Sequence, residues 1–170
     1  MNNKPFKHTT TTKLNELIRE IILSPDNAVE IQKIGWKAGS FIIGDIEYTY
    51  IFELMKNPYP NELGMFYNVG FTEQTDAEVD PNIPTGNAKE KYIKILSTMY
   101  KVILDFVERE EPDYLGLVAL DKAGYWNIYN QLTKHNDIPG YYRKDPALNL
   151  STKSNGKGKI IVLKRKTLHE

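Results

Sequence analysis

The chain has no cysteine among its 170 residues, and this absence excludes structural disulfides, cysteine nucleophiles and thiolate metal sites. It has three histidines, His8, His135 and His169, which lie too far apart in sequence to form the paired ligands of a zinc hydrolase. We therefore expect no metal site. An enzyme built from this sequence would have to work without a covalent thiol intermediate.

An excess of charge of one sign and long apolar runs are also missing. The 22 basic and 22 acidic residues cancel, whereas dedicated nucleic-acid binders usually carry a basic excess, so nucleic acid is not expected as a partner. No apolar run approaches the roughly 20 residues that a membrane-spanning helix needs. Residues 1–12 lack the apolar core of a signal peptide. These absences predict a cytoplasmic protein with no membrane partner.

The hydrophobic pattern predicts a single α+β (α/β) domain over residues 12–170, preceded by a disordered arm over residues 1–11. Thr12 can cap a short amphipathic helix that ends at Ser24-Pro25. From Ala28 to about Gln74 the apolar period changes to two, which indicates an antiparallel meander. The predicted parts of the meander are strands broken near Gly35 and Gly39-Ser40, a Gly44-Asp45 hairpin, a strand over residues 46–54 and a strand from Leu63 to Thr72.

A long amphipathic helix is predicted from Ala88 to about Glu110, because apolar residues recur there every three or four positions. Pro112 ends it, since the residue before a proline resists helical geometry. The apolar run Tyr114–Leu120 then fits a strand buried on both faces at the centre of the sheet. A strand–helix–strand crossover of this length implies parallel pairing between that run and the strand ending at Thr72.

The last part of the chain predicts a second helix from Lys122 to about Lys134 and a C-terminal hairpin. The hairpin strands are predicted at Gly140–Arg143 and Lys159–Lys164, joined by the flexible stretch Ser151–Lys157. The expected architecture is a mixed sheet with helices on both faces.

The turn Thr85-Gly86-Asn87-Ala88-Lys89 opens the long helix. A glycine-containing turn at a helix start leaves backbone N–H groups without an intrahelical acceptor, and the helix dipole attracts anions to that end. The turn is therefore a candidate phosphate cradle. Its plainer interpretation, a simple passage from loop to helix, stays open.

The predicted order of elements is a helix, an antiparallel meander, a loop, a long helix, a buried strand, a helix and a hairpin. This order resembles the GNAT (Gcn5-related N-acetyltransferase) fold from about Thr12 to Lys166, and the chain is similar in outline to phage-encoded GNAT-like proteins. In that family the acyl-CoA pyrophosphate binds a Gln/Arg-x-x-Gly-x-Gly/Ala turn at the start of the long helix. Residues 83–88 match the Gly-x-Ala half of this turn, whereas Ile83 replaces its polar first residue.

A second motif of the family is matched in part. The helix after the buried strand typically carries Asn-x-x-Ala-x-x-x-Tyr, and here Asn127 and Tyr129 stand closer together. The Gly-Phe pair that usually follows is represented by Gly140-Tyr141, further along the chain. The order of elements thus resembles the family more fully than the motifs do.

The resemblance implies an acyl-CoA-dependent N-acyltransferase with acetyl-CoA as co-substrate, in which a small-molecule or protein amine attacks the thioester directly in a ternary complex. It places the pyrophosphate on Gly86, Asn87, Ala88 and Lys89. It also implies that the sheet splays beside Val69–Thr72 and Leu117–Leu120, which would leave a slot for the pantetheine arm.

The same resemblance gives Tyr129 the role of general acid toward the leaving CoA thiolate, and makes Glu53 and Asp121 the candidates for the base that takes a proton from the amine. Each residue also has a plainer interpretation. Tyr129 lies on the apolar face of its predicted helix and can be a core residue. Glu53 can be a solvated strand residue, and Asp121 can be a helix cap.

Two other functions stay open. One is a catalytically inactive GNAT-like protein that grips a macromolecular partner, for example as a phage or mobile-element factor; the mismatch at Ile83 favours it. The other is an accessory protein that contacts nucleic acid through the basic stretch Lys153–Lys166. The acceptor amine and the oligomeric state, including a dimer, are also open.

Overall fold

The computed structural model describes residues 16–17, 20–21, 23–74, 86–120, 129–130, 133–134, 138–151 and 157–167. The arm predicted over residues 1–11 lies outside this part of the chain, as does most of the second predicted helix.

Within the described ranges, seven strands form one mixed sheet in the order β1-β2-β3-β4-β5-β7-β6. Every neighbouring pair is antiparallel except β4–β5, which is parallel. The predicted meander, the strand–helix–strand unit and the C-terminal hairpin are all present, so the α+β class and the mostly antiparallel sheet are confirmed. The strands are β1 (Ile31–Lys33), β2 (Ala38–Ile43), β3 (Ile46–Met55), β4 (Phe66–Gln74), β5 (Tyr114–Leu120), β6 (Tyr141–Ser151) and β7 (Lys157–Arg165).

Two strand boundaries in the meander were predicted wrongly. Gly39-Ser40 lies inside β2 and does not break it. A Cβ at Gly39 would lie 2.4 Å from the Tyr50 hydroxyl, so this glycine serves close packing and not a turn. The strand predicted from Leu63 begins instead at Phe66. Leu63 is almost fully exposed.

The C-terminal hairpin is longer than predicted, because β6 continues from Tyr141 to Ser151. Its pairing with β7 shifts register between Lys144 and Leu148, where Pro146 interrupts the ladder. Such an interruption removes the simple alternation of apolar and polar residues that marks a strand in a sequence. The predicted end at Arg143 was therefore wrong.

The long helix, α1 (Gly86–Glu110), lies on one face of the sheet. The predicted apolar face is confirmed: Leu96, Met99, Ile103 and Phe106 are all almost completely buried. The Phe106 ring stacks on the Phe52 ring of β3 with a centroid distance of 3.8 Å and an interplanar angle of 5°. This contact fixes the C-terminal half of α1 on the centre of the sheet.

The second face of the sheet has a smaller core. Its buried residues are Phe66, Tyr114, Ile160 and Val162, with Tyr59 of the β3–β4 loop packed against them. Among the described residues α1 is the one long helix, so the prediction of helices on both faces is met on one face. None of the described helices is both long and apolar enough to cross a membrane.

An ionic cluster closes the edge of this second core. The Tyr114 hydroxyl donates a hydrogen bond to the Glu62 carboxylate, and Lys144 Nζ lies 2.9 Å from Glu62 Oε1. The Lys144 ammonium also lies 4.5 Å from the centre of the Tyr59 ring. The hydrogen bond from Tyr114 and the contact with Lys144 lower the pKa of Glu62 below its ordinary value of 4.5.

This cluster predicts an acid-sensitive contribution to stability. Because the folded state lowers the pKa of Glu62, the contribution is full above pH 4.5 and is lost as the pH falls through the folded-state pKa. Glu62→Gln should lower the free energy of unfolding at pH 7 by about 1–2 kcal/mol, since Glu62 is only partly buried. Urea unfolding between pH 3 and pH 7 should show that the free energy of unfolding falls less on acidification in the variant than in the wild type. Glu108→Gln, on the exposed side of α1, should behave as wild type.

Candidate acyl-CoA and amine site

The ladder between the parallel strands β4 and β5 is shorter than either strand. The two strands pair from Phe66↔Tyr114 to Val69↔Leu117, and there the pairing stops. β4 nevertheless continues to Gln74 along β3, and β5 continues to Leu120 along β7. The predicted splaying beside Val69–Thr72 and Leu117–Leu120 stays a prediction. Val69 and Leu117 are paired, and a Cβ at Gly70 would lie 3.6 Å from the Cβ of Val118, so the two strands are still in contact one position further on.

The N-terminus of α1 lies at the end where this ladder stops. Lys91, in the second turn, places its Nζ 5.7 Å from the centre of the Tyr48 ring, and Tyr48 pairs with Glu73 near the end of β4. Phe106, far along the helix, stacks instead on Phe52, which pairs with Val69. The helix thus runs from the end where the β4–β5 ladder stops towards its paired end.

The four residues predicted to hold a pyrophosphate form the start of α1. The helix begins at Gly86, and Asn87, Ala88 and Lys89 complete its first turn. The N–H groups of a first turn have no intrahelical acceptor, and they carry the positive end of the helix dipole. The start of α1 is therefore a candidate anion site, at the end of the sheet where the β4–β5 ladder ends.

Glu53, a predicted base, lies on the second face, opposite α1. It pairs with Asn68 of β4, and Asn68 pairs with Gly116 of β5. Asn68 Oδ1 is buried and accepts no hydrogen bond from the described residues. A Cβ at Gly116 would lie 2.2 Å from this oxygen, so the glycine leaves the space that the amide occupies.

Glu53 is the candidate contact for an amine. It lies directly opposite Asn68, and side chains in such positions on antiparallel strands lie about 5 Å apart at Cβ. The Glu53 side chain is exposed, whereas the Asn68 amide oxygen is buried over Gly116 of β5. The pair lies one position from Val69↔Leu117, the last pair of the β4–β5 ladder.

Sequence reasoning missed Asn68. It is an uncharged polar residue between the apolar residues Tyr67 and Val69, and that contrast could have marked it. Its relation to Glu53 and Gly116 depends on the register of three strands, which the sequence does not reveal.

Tyr129, the predicted acid, is 3% exposed and belongs to the core beneath α1. Its carbonyl oxygen accepts a hydrogen bond of 2.7 Å from the Thr133 hydroxyl, as in a helix. The alternative interpretation of Tyr129 as a core residue agrees with this burial. Tyr129 and Glu53 lie on opposite faces of the sheet, so a common substrate could meet both only through an opening between strands. Asp121 lies outside the described residues.

No three His, Asp or Glu side chains come together as a metal site in the part of the chain that the structure describes.

The chain matches no protein-family model, no curated protein and no solved structure. The resemblance to the GNAT fold therefore stays a prediction.

Proposed function

We propose that this protein is a cytoplasmic, acyl-CoA-dependent N-acyltransferase of the GNAT type. One observation carries the proposal: β4 and β5 stop pairing after Val69↔Leu117 although both strands continue, and the first turn of α1 lies at the same end. The proposal places a slot between the ends of these strands, beside an anion site at the start of α1. Acyl-CoA has an extended arm and a pyrophosphate, which are the two shapes that the slot and the helix end would accept.

The backbone supplies both contacts. The N–H groups of Gly86 to Lys89 bind the pyrophosphate at the positive end of α1. The amides of the pantetheine arm pair with the free strand edge beyond Val69, in the way that an extended peptide adds to a sheet. The thioester then lies near the last paired position of β4–β5.

The amine approaches from the second face. The exposed Glu53 carboxylate binds its protonated form and takes a proton to give the neutral nucleophile. The nitrogen attacks the thioester carbonyl, a C–N bond forms and the C–S bond breaks. The CoA thiolate leaves and takes a proton from Tyr129, the proposed donor from the face covered by α1, and the second proton that the nitrogen loses on forming the amide returns to the Tyr129 oxygen.

The absence of cysteine makes the direct assay of this reaction clean. A chromogenic disulfide reagent detects the thiol of released CoA, and a chain with no cysteine adds no background. With acetyl-CoA and a panel of primary amines (a polyamine, an aminoglycoside and a lysine peptide), we expect release that depends on one class of amine. Binding of acetyl-CoA without release for any amine would contradict catalysis.

A binding protein without catalysis is the second candidate, favoured by apolar side chains on the second face. Ile42, Ile51 and Met55 all lie there and are at least 40% exposed. Such a surface fits a macromolecular partner. If no amine supports CoA release, capture of a partner by the wild type, and its loss with Ile51→Glu, would support this candidate.

A further inference from the structure

A second pocket lies between the β1–β2 hairpin and the C-terminal half of α1. Its volume is about 360 Å³, within the range of sites that hold small molecules. It is lined by residues as late in α1 as Arg109, whereas the proposed pyrophosphate site lies at Gly86. The lining residue of α1 nearest to that site is Lys101, so with an axial rise of about 1.5 Å per helical residue the two sites are roughly 20 Å apart. The pocket is therefore independent of the proposed acyl-CoA site.

The floor of this pocket is aromatic and contains one hydroxyl group, that of Tyr50. Tyr50, Phe52 and Phe106 contribute their rings. Tyr50 is 5% exposed, and its hydroxyl makes no hydrogen bond to the described residues. Burial raises the pKa of Tyr50, and the Asp105 carboxylate adds to the rise, so the hydroxyl stays protonated. The hydroxyl is not among the buried side-chain atoms that lack a partner in the described part of the chain, so it is reachable from the pocket, and an acceptor on a ligand can bind it there.

The mouth of the pocket has an exposed aromatic ring and an excess of cations. Trp36 is 71% exposed, and the Arg109 guanidinium lies 4.9 Å from its ring centre. Asp105 binds both Arg109 and Lys33, so its charge is compensated. Lys101 also lines the pocket and makes no ion pair with the described residues.

The charges and hydrogen-bond donors of the lining indicate which kind of ligand fits the pocket. The lining has three cations and two carboxylates, Asp105 and the exposed Glu30. Together with the Tyr50 hydroxyl, the cations leave hydrogen-bond donors in excess. The rings of the floor and the exposed Trp36 ring favour a flat apolar body.

We propose that this pocket binds a small aromatic carboxylate. The ring of the ligand lies against Tyr50, Phe52 and Phe106, and its carboxylate accepts hydrogen bonds from the Tyr50 hydroxyl and from the cations of the mouth, Lys101 among them.

Three probes of one shape and different charge test the proposal: phenylacetate, phenylacetamide and 2-phenylethylamine. Backbone amide shifts in NMR titrations give the dissociation constants. For a ligand of this size we expect phenylacetate to bind at about 1 mM. Phenylacetamide should bind at least about fivefold more weakly, and 2-phenylethylamine should not bind, because only the carboxylate offers strong acceptors without adding a cation. Equal affinities of the three probes would overturn the proposal. So would the absence of phenylacetate binding at about 20 mM, which is 20-fold above the expected dissociation constant.

Single substitutions test whether phenylacetate binds in this pocket. Tyr50→Phe removes only the hydroxyl and should weaken phenylacetate binding about fivefold. Lys101→Gln should weaken it by a similar factor, whereas Lys94→Gln on the same helix should leave it unchanged, since Lys94 pairs with Glu90. Gly86→Glu should also leave it unchanged, which separates this test from that of the proposed acyltransferase. Unchanged binding in both Tyr50→Phe and Lys101→Gln would contradict the assigned site.

Discussion

Ile103→Asp should lower the free energy of unfolding by at least about 4 kcal/mol. Ile103 is 0% exposed and lies at the centre of the contact between α1 and the sheet. The substitution removes most of a buried apolar side chain and leaves a carboxylate without a buried partner, and these two costs add. Urea unfolding followed by circular dichroism should show a large fall in the midpoint, or an unfolded protein at 25 °C.

Two variants on the same helix control this experiment. Ile103→Val keeps the position apolar and should cost about 0.5–1.5 kcal/mol. Lys101→Asp introduces the same carboxylate at an exposed position, and its cost should stay below about 1 kcal/mol. If Ile103→Asp unfolded at the same urea concentration as Lys101→Asp, the assignment of the buried face of α1 would be wrong.

Glu53→Gln should lower kcat/KM for the amine about 100-fold at pH 7, with the affinity for acetyl-CoA unchanged. The glutamine keeps the size and the hydrogen-bond acceptor of the side chain but cannot take a proton, and general bases typically contribute factors of this size or more. At pH 10, where roughly a quarter to a third of a lysine-like amine is already neutral, the difference in kcat/KM between variant and wild type should narrow.

The matched control is Glu47→Gln, because Glu47 lies on the same strand and the same face but pairs with Gln74 at the other end of β3. It should keep kcat/KM within about twofold of wild type. A Glu53→Gln enzyme with wild-type activity would remove Glu53 from the mechanism and leave Asp121 as the candidate base.

The parts of the fold that local pattern decides could be predicted from the sequence. The buried face of α1 follows from a helical period that its own residues carry, and the Gly44-Asp45 hairpin follows from turn chemistry. β5 could be placed at the interior of the sheet because its residues are apolar on both faces. In each case the residues that decide the structure are neighbours in the chain.

Features that depend on register or on distant partners could not be predicted. The sequence predicted a strand break near Gly39, whereas the pairing of β2 with β3 places this glycine against Tyr50. The ionic cluster joins Glu62 to Tyr114 and Lys144, which are 52 and 82 residues away in sequence. No local period reveals such contacts.

The candidate site likewise has parts that the local sequence predicts and parts that depend on distant residues. The candidate anion site at Gly86 depends on a turn and a helix start, and both are visible in the sequence. An opening between β4 and β5 was expected from the family resemblance and not from the residues themselves; the structure shows that their ladder ends at Val69↔Leu117. Asn68 could not be predicted, because only the pairing of three strands places Glu53 and Gly116 beside it.

The most direct test of the proposed acyl-CoA site is the thermal unfolding of the wild type and of Gly86→Glu with and without acetyl-CoA. At a concentration one hundred times its dissociation constant, a ligand that binds only the folded state adds about 2.7 kcal/mol, which for a domain of this size raises Tm by roughly 6–10 °C. Gly86→Glu should abolish the rise, because it puts a negative side chain at the start of α1, where the pyrophosphate would bind. Lys101→Glu, which makes a larger change of charge far along α1, should retain the rise. A wild-type Tm unmoved by millimolar acetyl-CoA, or an equal rise in Gly86→Glu, would contradict the proposed site.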